Sequence, residues 1–80
     1  MVKYKLELKP IRTYGVDALP DDRLQFFGIM INALSQMVMM IEGVSSATVM
    51  EDYSLIIEGD DSIEESMVKF HDQAILTKLE

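Results

Sequence analysis

Cysteine and tryptophan are absent from this chain of 80 residues, and histidine occurs once, at position 71. Without cysteine there is no disulfide, no cysteine-ligated zinc and no thiol nucleophile. A single histidine also excludes a metal site built from several imidazoles. Basic side chains number 7 against 14 acidic ones, which gives a net charge of −7. We therefore do not expect nucleic acid as the main ligand, because phosphate binding needs a basic surface.

The hydrophobic fraction of 49% is too high for a disordered chain. A chain of this length predicts one domain, and we expect a single α+β domain over residues 1–80. The N-terminus has no continuous apolar segment of the kind found in secretory signals, which favours a cytoplasmic protein. A run without charge extends from Leu24 to Ile41, but Gln25, Asn32 and Gln36 fall on one side of it at helical spacing. A polar, solvent-facing side of this kind argues against a membrane span.

The first segment is predicted to be a strand with one buried face. Val2, Tyr4, Leu6 and Leu8 alternate with charged residues, which is a period of two. Pro10 fits the end of this strand, and residues 12–20 are expected to form a loop.

A long helix is predicted next, from Asp21 or Asp22, either of which can cap it, to about Glu42. Gly43 then stands where a left-handed residue ends a helix. Two short β-rich runs, SSATVMED and YSLIIEG, follow. Ser62 and Glu65 have the spacing of a capping box ahead of a second helix. The apolar residues of that helix recur at helical spacing: Ile63, Met67, Phe70 and Ala74.

The predicted order is β-α-β-β-α. A right-handed crossover places the first two strands parallel with the third between them, which is the split β-α-β unit of ferredoxin-like domains. We expect helices on one face of an antiparallel sheet. The favoured version has three strands and a long last helix, and the alternative forms a short fourth strand from AILTKLE.

The run from Ile41 to Ile75, with its EGV turn and its GDDSIEES helix start, resembles the outline of heavy-metal-associated domains. The metal-binding CxxC motif of that family is missing. The resemblance therefore covers the fold outline alone and implies no delivery of copper or zinc.

The first helix is predicted to be apolar over about 220° of its circumference, whereas a helix on a sheet needs a stripe of roughly 100° or somewhat more. The residues expected to face the strands are Phe27, Met30, Leu34, Val38 and Ile41. The residues expected to bind a partner are Phe26, Ile29, Ala33, Met37 and Met40. Two interpretations stay open, a deeply buried central helix or a subunit or partner interface. Gly28 could permit close approach of another backbone.

We expect a homo-oligomer, most simply a two-fold dimer. Besides the wide apolar arc, a three-strand sheet leaves the outer edge of the first strand unpaired, and such edges recruit partners.

Four carboxylates gather at the predicted start of the second helix: Asp60, Asp61, Glu64 and Glu65. Their spacing does not match a calcium loop, and the helix dipole alone favours acidic residues there. We therefore expect no metal and no cofactor, and assign the cluster to contact with a basic protein partner. His71 has no nucleophile or acid marked near it, so we expect no enzyme.

The sequence favours a non-catalytic protein–protein interaction module, in particular a small acidic inhibitor or adaptor. In the sharpest form of this hypothesis the protein is virus-encoded and masks a basic nucleic-acid-binding site on a partner, because acidic charge steers such an encounter. The alternative is an oligomeric regulatory domain that senses a small molecule between paired subunits.

Overall fold

The computed structural model describes residues 1–69 and 74–79, and within them the chain forms four strands, three α-helices and two 3-10 turns. In chain order these are β1 (Val2–Leu8), α1 (Lys9–Tyr14), a 3-10 turn (Val16–Ala18), α2 (Asp21–Met39), β2 (Val44–Val49), β3 (Leu55–Gly59), a second 3-10 turn (Asp61–Ile63), α3 (Glu64–Val68) and β4 (Ala74–Lys78).

The four strands form one antiparallel sheet in the order β2-β3-β1-β4. The α+β class is confirmed, and β3 lies between β1 and β2 as the split β-α-β unit requires. The ferredoxin-like outline is matched in part, because a short extra helix, α1, directly follows β1, and α3 has only five residues.

The favoured long last helix is wrong, and the four-strand alternative is correct. The helix ends at Val68, and Ala74–Lys78 pair with β1, with Leu76 opposite Leu6 and Ala74 opposite Leu8. Ala74 is buried, as the helical pattern also required, so apolar spacing alone could not separate the two structures. Residues 74–78 form a strand and not a helix because pairing with β1 satisfies the backbone hydrogen-bonding groups along the second edge of β1. Phe70 lies outside the described residues.

Pairing with β4 also removes one argument for a dimer. β1 is a central strand with β3 on one side and β4 on the other. The predicted free edge of β1 therefore does not exist, and the edge strands are β2 and β4.

The segment predicted to be a loop over residues 12–20 is partly helical. α1 begins directly after β1, with Pro10 in its first turn, where the missing N–H has no helical partner to lose. Ile11 is buried, and Gly15, with φ of 79°, ends the helix.

The core lies between α2 and one face of the sheet. Leu6, Leu55 and Ile57 are fully buried in the two central strands, and Val2 and Leu8 complete the predicted inner face of β1. Tyr4, on the same face, is partly buried against this core.

α2 contributes Phe27, Ile31 and Val38 to the core, so Ile31 takes the place expected for Met30, which is 36% exposed. At 100° per residue, Ile31 lies within about 20° of Val38 around the helix axis, whereas Met30 lies about 80° away. Leu34 and Ile41 are partly buried against the core, as predicted.

α2 is shorter than predicted and is not capped by an aspartate. Pro20 occupies the N-cap position with no side-chain cap hydrogen bond, and Asp21 and Asp22 lie in the first turn. The helix ends at Met39, and Gly43 has the predicted positive φ, at 97°. The carbonyl of Gly43 accepts a hydrogen bond from the Asp60 N–H at 3.0 Å, which joins the start of β2 to the end of β3.

Two glycine-to-alanine substitutions should change stability in opposite directions. A Cβ at Gly28, inside α2, would meet nothing within 4 Å. Gly28→Ala should therefore raise the free energy of unfolding by about 1 kcal/mol, because alanine has the higher helix propensity. Gly43→Ala should lower it, since φ is positive there and a Cβ would come within 2.7 Å of the Asp60 carboxylate. Urea midpoints measure both, and a loss of stability in Gly28→Ala would contradict the expectation.

Candidate functional site

The candidate functional site is an apolar surface along the outer side of α2, which we call the α2 stripe. Its residues are Phe26, Ile29, Met30, Ala33, Met37 and Met40, and all six are exposed. Ile29 is 65% exposed, Met37 57% and Met40 87%. The interpretation of α2 as a deeply buried central helix is therefore wrong.

The α2 stripe is continuous because of its spacing. From Phe26 the positions 30, 33, 37 and 40 follow at intervals of four, three, four and three, which is the spacing of a coiled-coil seam. At 1.5 Å per residue the stripe is about 21 Å long, and its centre lies roughly 130° around the helix from the buried face. Ile29 widens it on one side.

Sequence reasoning found five of these six residues and missed Met30. It assigned Met30 to the core, although the seam spacing that links Phe26, Met30 and Ala33 is visible in the sequence. Gly28 does not belong to the stripe, because at 100° per residue it lies about 150° from the stripe's centre. Gln25, Asn32 and Gln36 are exposed beside the stripe, as the predicted wet side required.

The helix after β3, α3, is too short to cover the stripe. α2 has 19 residues and α3 has five, so their lengths are about 28 Å and about 7.5 Å. α3 therefore cannot shield α2 along its length. Residues 74–78, which the sequence assigned to the same predicted helix, form β4.

The acidic cluster is held by local contacts. The Asp60 carboxylate accepts hydrogen bonds from the backbone N–H and the hydroxyl of Ser62, which lower the pKa of Asp60 below its usual value. Ser62 is thus the donor in this contact, and the predicted Ser62–Glu65 capping box is wrong. The short side chain of Asp60 reaches the free N–H groups of the turn first.

Glu64 forms an ion pair across the fold. Its carboxylate accepts a hydrogen bond from Lys78 of β4 at 2.6 Å. This contact lowers the pKa of Glu64 and raises the pKa of Lys78. All four carboxylates are exposed, and the cluster divides into two that accept hydrogen bonds, Asp60 and Glu64, and two for which the structure shows none, Asp61 and Glu65. The Met1 ammonium approaches Asp61 at 3.9 Å.

The basic residues of β1 are neutralised by carboxylates on the neighbouring strand and turn. Lys3 lies opposite Glu58 with 3.6 Å between their charged atoms, and Lys5 lies 3.6 Å from Asp52. A shallow cleft on this sheet face is lined by Lys5, Val49, Met50, Glu51, Asp52, Ser54, Ile56 and Leu79. Of its polar groups, Lys5 pairs with Asp52, and the Ser54 hydroxyl donates a hydrogen bond to the Asp52 carboxylate. Glu51 is a third charged group of the lining.

A buried carboxylate, Glu7, was not singled out by the sequence analysis. Arg12 of α1 donates a hydrogen bond to it at 2.7 Å, and the Glu7 side chain is 11% exposed. The pair fastens α1 to β1, which gives it a structural role.

The described part of the chain contains no group of three or more histidine or acidic side chains placed to hold a metal ion. No helix within residues 1–69 and 74–79 has both the length and the hydropathy needed to cross a membrane. His71, for which we expected no catalytic role, lies outside the described residues. Comparison with protein-family models, with curated proteins and with solved structures finds no match for this chain.

The turn between β2 and β3 should contribute to acid sensitivity. Hydrogen bonds from the Ser54 hydroxyl and N–H, with the charge of Lys5, hold the pKa of Asp52 below its ordinary value of 3.8. A depressed folded pKa gives stability that is complete above pH 3.8 and is lost as the pH falls through the folded value.

Asp52→Asn keeps an oxygen acceptor for Ser54 and removes the titrating group. We expect this variant to lose less stability than wild type between about pH 4 and pH 2, measured as urea midpoints. An equal loss in both proteins would contradict the assignment.

Proposed function

We propose that this protein is a non-catalytic protein–protein interaction module, a small acidic inhibitor or adaptor that docks another polypeptide on the α2 stripe. The single observation that supports this is the stripe itself, a continuous apolar surface with no charged side chain along it. Contiguous exposed apolar surface on small proteins marks interaction sites. The three methionines of the stripe are unbranched and adapt to the shape of a partner.

Self-association, most simply as a two-fold dimer, is part of the proposal, as is action in the cytoplasm. The support for the dimer comes from the stripe alone, since the edge of β1 is paired. The exposed phenylalanine and the three exposed methionines of the stripe would otherwise be an aggregation risk for the monomer.

The acidic surface supplies the second half of the proposal. With a net charge of −7, the protein is suited to approach a basic site on a partner, such as a nucleic-acid-binding surface, which it would mask. Asp61 and Glu65 are the carboxylates of the cluster best suited to this contact, because they face solvent without the hydrogen bonds that engage Asp60 and Glu64.

The alternative function, a regulatory domain that senses a small molecule, has weaker support. The cleft on the sheet face combines apolar side chains with the ion pair of Lys5 and Asp52 and with Glu51 and Ser54. A metabolite site needs convergent polar groups that are available to the ligand. Here Lys5, Asp52 and Ser54 already engage one another.

A charge placed on the stripe should weaken association without unfolding the protein. Met37 is 57% exposed, so Met37→Glu removes little buried area, but in an interface the new carboxylate would lose its water. We expect the dissociation constant of the dimer to rise at least roughly tenfold, about 1.4 kcal/mol, measured by light scattering on dilution.

The matched control is Met50→Glu, the same substitution at a methionine that is 45% exposed in the turn after β2. This variant should associate like wild type. A wild-type mass of 9.1 kDa at every concentration would count against the dimer. Unfolding of Met37→Glu would show that the stripe belongs to the core.

Removal of two solvent-facing charges should weaken binding to a basic partner. The double variant Asp61→Asn with Glu65→Gln changes the net charge from −7 to −5, by two removed carboxylates. The probe is a host-cell lysate bound to DNA-cellulose, from which the wild-type protein should elute a protein whose basic site it masks. The variant should need several-fold higher concentration, and added salt should weaken the wild-type effect.

Asp60→Asn is the companion control, because its carboxylate is held by Ser62 and its main effect should be on stability. If the wild type elutes nothing from the DNA-cellulose, the masking role is wrong. Equal elution by wild type and the double variant would remove the acidic cluster from the contact.

A further inference from the structure

We infer that the polypeptide that covers the α2 stripe is a second copy of this chain, and that two α2 helices cross antiparallel on a two-fold axis at Ala33. The inference rests on the proposed function, whose working surface is the same stripe. The dimer is already part of that proposal, and this inference adds the direction of the partner helix and the residue that lies on the two-fold axis.

The order of side-chain sizes along the stripe is the first argument. Ala33 stands at its centre, with Phe26 seven residues before it and Met40 seven residues after it. Met30 and Met37 stand between the centre and the two ends. A two-fold axis at Ala33 therefore places small against small, and large against large on both sides.

Helix packing geometry gives the second argument. The four-and-three spacing of the stripe is that of helices that cross at about 20°, and Ile29, Ala33 and Met37 form one of its ridges. The separation of the axes depends on the side chains at the crossing point, where alanine permits close approach. A two-fold axis requires a surface that is complementary to itself, and this ridge is large, small, large.

The exposed apolar area of the α2 stripe is sufficient for a dimer interface of ordinary size. Side chains of this size carry on the order of 200 Å² each, so the exposed fractions give a patch of roughly 600 Å². A stable interface takes about 800 Å² from each partner, and the side chains that border the stripe can supply the remainder.

The acidic first turn of α2 favours the antiparallel direction. Asp22 lies there, about 30° around the helix from the centre of the stripe and about 16 Å from Ala33 along the helix. A parallel pair would bring Asp22 near the partner's Asp22, at roughly the 8–10 Å separation typical of packed helices. An antiparallel pair separates the two by about 33 Å, well beyond the screening length of about 8 Å at physiological salt.

Single cysteines test the arrangement, because the natural chain has none and every disulfide is then assignable. Ala33→Cys should form a dimer-linking disulfide under mild oxidation. A mixture of Ile29→Cys and Met37→Cys, one carrying a longer tag, should give mainly the mixed disulfide. Asn32→Cys, exposed on α2 to one side of the stripe, is the matched control and should cross-link several-fold less.

Each of the other cross-linking results would contradict one or both of the proposals. Mainly like-with-like disulfides for Ile29→Cys and Met37→Cys would show a parallel pair and overturn this inference, while the proposed function stands. If the protein is a dimer but Asn32→Cys and Ala33→Cys cross-link equally, this inference is overturned and the proposed function stands. A wild-type protein that stays monomeric and elutes nothing from DNA-cellulose would overturn both proposals.

Salt separates self-association from binding to a basic partner. Two copies that each carry −7 repel one another, so the dimer should tighten as salt is added. Binding to a basic protein should weaken over the same range. Self-association that weakens with salt would contradict an uncharged apolar seam.

Discussion

The pairing of β4 with β1 is the constraint from which the rest of this structure follows. Five residues that could have lengthened α3 are instead placed along the second edge of β1, with Leu76 opposite Leu6. The pairing turns β1 into a central strand and shortens α3 to a little more than one turn. A sheet with one long and one very short helix above it leaves much of the long helix uncovered.

α2 therefore has two apolar faces. Phe27, Ile31 and Val38 are buried against the sheet, and the α2 stripe carries a second set of apolar side chains that nothing in the described chain covers. A helix that only lies on a sheet needs one apolar face. The proposed function and the inferred helix pair both depend on this second face.

Charged side chains pair locally within the fold, whereas the protein as a whole carries an excess of acidic charge. Most of the lysines and arginines have close acidic partners: Lys3, Lys5, Arg12 and Lys78 each contact a carboxylate of another element or turn. These local pairs engage four of the seven basic side chains, and the acidic side chains outnumber the basic ones by seven. The long-range field is therefore negative, although the contacts within the fold are largely balanced.

The amino-acid sequence by itself determined the local features that depend on neighbouring residues. Alternation in residues 2–8 identified β1 and its inner face, the run after Pro20 identified α2, and Gly43 supplied the positive φ before β2. The five predicted partner residues on α2 were visible as an apolar arc too wide for one sheet. In each case the signal is a period or a backbone preference that a few residues carry.

Only the tertiary structure decided what depends on distant partners. The spacing of Ile63, Met67 and Ala74 fits a helix, yet Ala74 is buried in a strand because β1 offered an unpaired edge. Pro10 suited both the end of a strand and the start of α1, and the buried contact of Ile11 selected the helix. Whether Met30 or Ile31 is buried was set by the rotation of α2 about its axis against the sheet. The sequence could not determine this rotation, because α2 has apolar residues on both faces.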